Sequence, residues 1–225
     1  MQSTASTRRA TAAPRAEALS PAAAVAGQPP HRPHLETVAA GHPDRPALEQ
    51  LVAETYATKH GARITGFLPT FLALRSPLGS LRATAGLRPA AGGELFLEQY
   101  LDGPVEAALG RAAGATIARS RIAEIGNLAA RECRSACKLA LLLPERLARD
   151  GHDWVVFTAT DVVRALITGL GTPLVELAAA TPDRLRSPRD DWGRYYERSP
   201  RVVAAWLPAG GALTRHGLRR QRAGR

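Results

Sequence analysis

At 225 residues, with 45% of them apolar, the chain has the length of one ordinary domain and enough apolar surface for a sizeable core, which excludes global disorder. Its formal charge of +10 invites nucleic acid as a partner, but the charge sits at the ends. Residues 1–35 carry four arginines and one acid, residues 214–225 five arginines and no acid, and the stretch between nets only +2, so the clustered charge that phosphate binding needs is missing from the folded part and no nucleic-acid partner is expected.

In chain order, residues 1–42 are Ala, Pro, Ser, Thr and His without periodicity, and a disordered tail is expected there. Arg8-Arg9 is followed by small polar residues where a signal peptide would have an apolar run, so the cytoplasm is the expected compartment. Pro46 at a first helical position, then Leu48, Leu51, Val52, Thr55 and Tyr56, predicts an amphipathic helix ending at Gly61. Phe67–Arg75 and Leu81–Arg88 are strand-like and joined by Ser76-Pro77-Leu78-Gly79, which predicts a hairpin. After a break at Pro89–Gly93 comes a third apolar stretch, Glu94–Leu101, and then a short helix over Pro104–Gly114.

The second half alternates. Arg121–Ala129 reads as a strand, Glu132–Arg149 as a long helix and Trp154–Thr158 as a buried strand. Asp161 can cap a helix running through Leu170, with Gly171 beyond its end, and Thr172–Ala179 is another strand. Strand, helix, strand, helix, strand at this spacing implies crossovers and parallel pairing. A last short helix is expected over Asp190–Arg198 and a last strand over Arg201–Leu207. The organisation is thus a tail over 1–42, one α/β domain over 43–208 with a mixed central sheet and flanking helices, and a basic tail over 209–225. The richest apolar run, Leu139–Leu143, stops at Pro144-Glu145-Arg146, far short of the ~20 residues a spanning helix needs, which argues against membrane contact.

Cys133 and Cys137 fall on neighbouring turns of the predicted long helix, where bridging geometry is poor. No local Cys or His pair completes a metal site, so they read as buried free thiols and no metal is expected. His60 and His152 stand at element ends and read as surface residues. No phosphate loop, dinucleotide fingerprint or persuasive Ser-His-Asp order is present.

Several runs resemble the bacterial thermostable-hemolysin family: Phe67-Leu68-Pro69-Thr70, Leu81–Arg88, Leu95-Phe96-Leu97-Glu98-Gln99-Tyr100-Leu101-Asp102 with Pro104 and Glu106, Glu124-Ile125-Gly126-Asn127-Leu128-Ala129, and Trp192-Gly193-Arg194-Tyr195-Tyr196 followed by Pro200. The resemblance spans about Pro43 to Leu207. Its element order is similar to the GNAT acyltransferase fold and to acyl-homoserine-lactone synthases. That likeness implies two parallel strands splaying around a pantetheine arm, with the pyrophosphate at the next helix start. The turn Arg131-Glu132-Cys133-Arg134-Ser135-Ala136 resembles the fold's Arg-x-x-Gly-x-Ala signature with Arg134 in place of Gly. The implied donor-binding residues are Ala129, Arg131, Arg134, Ser135 and Ala136. The donor the likeness implies is acyl-CoA or, because Gly is missing, the phosphopantetheine of an acyl-carrier protein.

On the strand before that turn, alternation puts Ile122 and Glu124 on one face and Asn127 on the other unless Gly126 marks a bulge. Glu124 is then a candidate general base for an attacking amine or the partner of a neighbouring arginine, and Asn127 a further candidate. Glu98 and Asp102 are candidate acceptor-site residues, or the outward acids of a half-exposed strand with Phe96 inward. Tyr196 could protonate a leaving thiolate, or pack with Trp192 and Tyr195 in an aromatic cluster. The expected function is acyl transfer from a thioester to a small amine. The alternatives are a membrane-active lytic protein, as the family name says, and a non-catalytic binding domain of the same fold.

Overall fold

The computed structural model describes residues 35–186 and 192–207; most of the two predicted tails and the start of the expected Asp190–Arg198 helix lie outside them. In order, the elements are β1 (Leu35–Val38), α1 (Arg45–His60), β2 (Thr70–Arg75), β3 (Leu81–Pro89), a 3-10 turn (Phe96–Tyr100), α2 (Val105–Ala113), β4 (Ile122–Ala130), α3 (Cys133–Arg149), β5 (Trp154–Ala159), α4 (Asp161–Gly169), β6 (Val175–Ala179), a 3-10 turn (Tyr196–Arg198) and β7 (Arg201–Trp206). All seven strands form one sheet in the order β1-β2-β3-β4-β5-β7-β6.

Antiparallel pairing runs from β1 through β4, and β4 pairs β5 in parallel, so the expected mixed sheet is the observed one. The second crossover differs from expectation. β6 runs in the direction of β5 but does not touch it, because β7 enters between them, antiparallel to both. A strand also appears inside the stretch assigned to the N-terminal tail: β1 pairs residue for residue with β2, Leu35 opposite Leu74 and Val38 opposite Phe71. Its four residues are too few to stand out from sequence, and a neighbouring hairpin edge supplies their partners.

Alternation along the strands divides the core between the sheet's two faces. Phe71, Ala73 and Ala129 pack with Leu48, Leu51 and Val52 of α1. On the same face, Ile122, Val156, Val202 and Ala204 meet Leu97, Leu101, Val105 and Leu109 of the 3-10 turn and α2. The opposite face, with Leu72, Leu74, Ala83, Ala85, Ala123, Ile125 and Val155, receives Leu139 and Leu147 of α3. Helix α1 ends as expected at Gly61, in the left-handed region at φ 67°. α4 starts one residue from the expected place: Thr160 is its cap residue, and Asp161 is the first helical residue.

Of the two readings of Glu98 and Asp102, the half-exposed strand with Phe96 inward is not what is seen: Phe96–Tyr100 within the Glu94–Leu101 stretch is a 3-10 turn, with Phe96 40% exposed and Glu98 only 7% exposed. Two further expectations also fail. Cys133 is exposed and Cys137 half-buried, because both lie away from the stripe by which α3 meets the sheet. His152 is buried at 8% exposure, held where the chain turns from α3 into β5.

Candidate active site

β4 and β5 pair over four residues, from Ile122 opposite Trp154 to Ile125 opposite Phe157. Beyond that β4 runs on to Ala130 and β5 to Ala159 with no further pairing, so the two strands part. The walls of the gap are not sealed: Gly126, Asn127, Leu128, Ala130, Phe157 and Thr158 are all half-buried. On the β5 wall the Thr158 hydroxyl is buried without a hydrogen-bond partner among the described residues.

Glu124 sits on β4 two residues before Gly126, on the face covered by the Phe96–Tyr100 turn. Its side chain is 3% exposed. One carboxylate oxygen accepts the Phe96 amide at 3.0 Å and the other the Leu97 amide at 2.9 Å. These are orphan donors at the start of the turn, so the carboxylate caps it from across the fold. Burial pushes the Glu124 carboxyl up to about 7, against the two amides and Arg88, which pull it down. A buried carboxyl titrating near neutrality, beside a gap between strands, can hold or release a proton under working conditions.

The turn is held on its other side by a second buried acid. Glu98 accepts the amides of Leu95 at 2.7 Å and Val105 at 2.8 Å, and its two oxygens take the Arg119 guanidinium at 2.6 and 2.8 Å. Arg119 also bonds Glu106 and the carbonyls of Ala90 and Gly93. Burial works to raise the Glu98 carboxyl, but Arg119 and the amides outweigh it and hold it at about 2. Glu98 is thus a permanently charged tie, with its oxygens turned to Arg119 and not to Glu124. An open cavity of about 550 Å³ lies on this side, lined by Glu98, Glu106, Arg119, Arg186 and the rim glycines Gly93 and Gly103.

Asn127 makes the bulge that Gly126 suggested. Opposite β3 the register shifts, with Gly86 facing Gly126 and Thr84 facing Ala129, and Asn127 takes the left-handed conformation at φ 46°. Its side chain accepts the Leu68 amide at 2.9 Å and donates to the Gly66 carbonyl at 3.2 Å, so it ties the loop before β2 to the sheet. The extra residue returns Ala129 to the α1 face, where it is 1% exposed. The Ala129 side chain therefore belongs to the core, and only its main chain borders the gap. Asp102 lies apart from Glu124, with an 81% exposed side chain paired to Arg184 at 2.7 Å.

Tyr196 does come to this region. Its hydroxyl meets that of Tyr100 at 2.8 Å, and burial raises both phenols. Trp192 stands 5.9 Å from Phe96 and 6.0 Å from Tyr196 between ring centroids, so the aromatic cluster abuts the turn that Glu124 caps. Tyr100, Arg119 and the amides of Phe96 and Leu97 were missed from sequence. The one available signal was the Leu95-Phe96-Leu97-Glu98 order itself, an acid three residues into a short turn where a capping acid belongs.

The turn after β4 starts α3. Glu132, at the cap position, accepts the Ser135 and Ala136 amides at 3.1 Å on its carbonyl and the Ser135 hydroxyl at 3.0 Å on its carboxylate. Ser135 is consequently buried. Arg131 and Arg134 are exposed, Arg131 tied to β3 through the Leu81 carbonyl at 3.1 Å. An anion here meets the first amides of a helix and two guanidinium groups, but also the Glu132 carboxylate.

Among the described residues no helix is long and apolar enough to cross a membrane, and no group of three His, Cys, Asp or Glu could hold a metal. The family model described as thermostable hemolysin matches residues 38–211. Among solved structures, the acyl-homoserine-lactone synthase LasI superposes with a TM-score of 0.56 at 11% identity, covering 83% of this chain and 95% of LasI. FeeM, an N-acyl amino acid synthase from uncultured soil microbes, gives 0.49 at 19% identity, over 79% of this chain and 92% of FeeM. No curated protein matches the sequence. The fold is the one that LasI shows.

Proposed function

The chain belongs to the thermostable hemolysin family, and from that premise together with its GNAT-like sheet we propose that it transfers an acyl group from a thioester, acyl-CoA or acyl-carrier protein, to an amine. The observation that carries this reading is the parting of β4 and β5 just beyond a buried carboxyl that titrates near 7. LasI, which shares the fold, is an acyl-homoserine-lactone synthase, a product class with an acylated nitrogen.

In this reading the extended pantetheine arm lies against the β4 main chain from Gly126 to Ala130, which β5 leaves unpaired. The donor's phosphate lies at the start of α3, where Arg131 and Arg134 supply charge. Both side chains are exposed, and Arg131 is steadied by the Leu81 carbonyl through its Nε. Holding donor and amine side by side supplies much of the acceleration through proximity. Strand amides steady the oxyanion. Glu124 takes the proton from the amine as the nitrogen–carbon bond forms; the carbon–sulfur bond then breaks, and the Tyr196 hydroxyl returns a proton to the departing thiolate. Tyr100 fixes the direction of that hydroxyl.

The test is incubation of the purified chain with acyl-CoA and with acyl-carrier protein across a panel of primary amines. Amine-dependent release of free thiol, lost in Glu124→Gln, is the expected result. A folded protein that releases no thiol from either donor class refutes it. The family's name favours a second reading, membrane lysis. Leakage of anionic liposomes at the same rate with Glu124→Ala as with the unaltered chain would establish that reading instead.

A further inference from the structure

The two cysteines of the chain are both on α3, four residues apart, with Cys133 the first helical residue. Cys133 is exposed and Cys137 half-buried. Two side chains at this spacing lie one above the other on a helix, with Cβ atoms ~5–6 Å apart. A disulfide needs Cβ atoms at ~3.5–4.5 Å, so direct oxidation would have to distort the first turn. An atom placed between the sulfurs removes that conflict, since two metal–sulfur bonds of ~2.3 Å span the longer gap.

From this geometry we infer that Cys133 and Cys137 form a dithiol site for thiophilic centres that are satisfied by two protein sulfurs, such as trivalent arsenicals or monovalent copper. Thiolates select soft ions of this kind. Zinc is a poor occupant, because a structural zinc wants four ligands and no third His, Cys, Asp or Glu completes a group here among the described residues. With phenylarsine oxide the chemistry balances without any oxidant: two arsenic–sulfur bonds form, the arsenic–oxygen bond breaks, and the two thiol protons leave with the oxygen as water.

Cys133 lies within the Arg131–Ala136 turn and Cys137 directly follows it, so an occupant of the pair would crowd the exposed start of α3. Interference with the thioester donor is therefore expected, and that consequence alone rests on the function proposed above.

The experiment is titration of the reduced full-length chain with phenylarsine oxide, followed by intact mass and free-thiol counting. One arsenical per chain with loss of both thiols is expected, retained against a millimolar monothiol and removed by 2,3-dimercaptopropanol. Cys133→Ser and Cys137→Ser should each bind at least ~100-fold more weakly, because each loses the second point of attachment. An arsenical washed off the unaltered chain by monothiol as readily as from either variant would overturn the site. Saturating CoA should slow capture. Unchanged capture with chelation intact would leave the thiol site standing and count only against the donor reading.

Discussion

The Phe96–Tyr100 turn is gripped from two sides by buried carboxylates of opposite character. Glu124 and Glu98 are comparably inaccessible, and each accepts two backbone amides. Only Glu98 has a guanidinium in direct contact. Two amides and the longer-range pull of Arg88 do not offset the loss of water around Glu124, and its carboxyl rises to about 7, whereas Arg119 brings Glu98 to about 2. Burial thus sets the stake, and the cation decides its sign. One acid is a fixed structural charge, and the other is left able to exchange a proton.

The sharpest way to break this contrast is at Glu124, the acid able to exchange a proton near neutrality. Glu124→Gln keeps the size of the side chain but cannot take a proton, and amine-dependent thiol release should fall by ~10²–10⁴-fold in steady-state assays. At the structural end, Arg119→Met leaves Glu98 buried beside no cation. A loss of about 3–5 kcal/mol in urea unfolding is expected, with Glu98→Gln in the same background recovering part of it.

The two acids also give stability opposite slopes with pH. Glu98, held below its ordinary 4.5, contributes stability above pH 4.5 that is lost as pH falls toward 2. Glu124, raised from 4.5, contributes stability that is fully present below pH 4.5 and lost as pH rises through 7. Each change is on the order of 3 kcal/mol. Urea unfolding from pH 4.5 to 8 should therefore flatten in Glu124→Gln, while acid unfolding below pH 4.5 keeps its slope. Asp102→Asn removes only the exposed pair with Arg184, and a change below ~1 kcal/mol is expected by the same assay. A larger loss would mean that the two sides of the turn are coupled through the Asp102 end.

The local part of this arrangement was legible in the sequence. β4, α3, the hairpin and α1 follow from periodicity, turn residues and Gly61. Glu124 was identifiable as an acid on a strand that alternation otherwise fills with apolar residues. The Phe96–Tyr100 turn was not legible, because Leu95, Leu97 and Leu101 are spaced like a strand while a carboxylate 27 residues away in the chain fixes the turn. Asn127 was weighed as a reacting group, but its amide spans a gap to a loop some 60 residues earlier, a contact no local pattern announces. Arg119 looked like one more arginine in an arginine-rich chain. Its five hydrogen bonds depend on where three separate segments meet.

The place of β7 has a bearing on how the molecule is made. Because β7 separates β5 from β6, the sheet has a vacancy in its middle until the ribosome has released Arg201–Trp206. Every earlier nascent chain exposes Val155–Phe157 along one unpaired border and the β6 main chain along another, two sticky rims that invite association with other chains. Insertion of the last strand therefore commits the fold, and a chain halted before Arg201 should accumulate as aggregate.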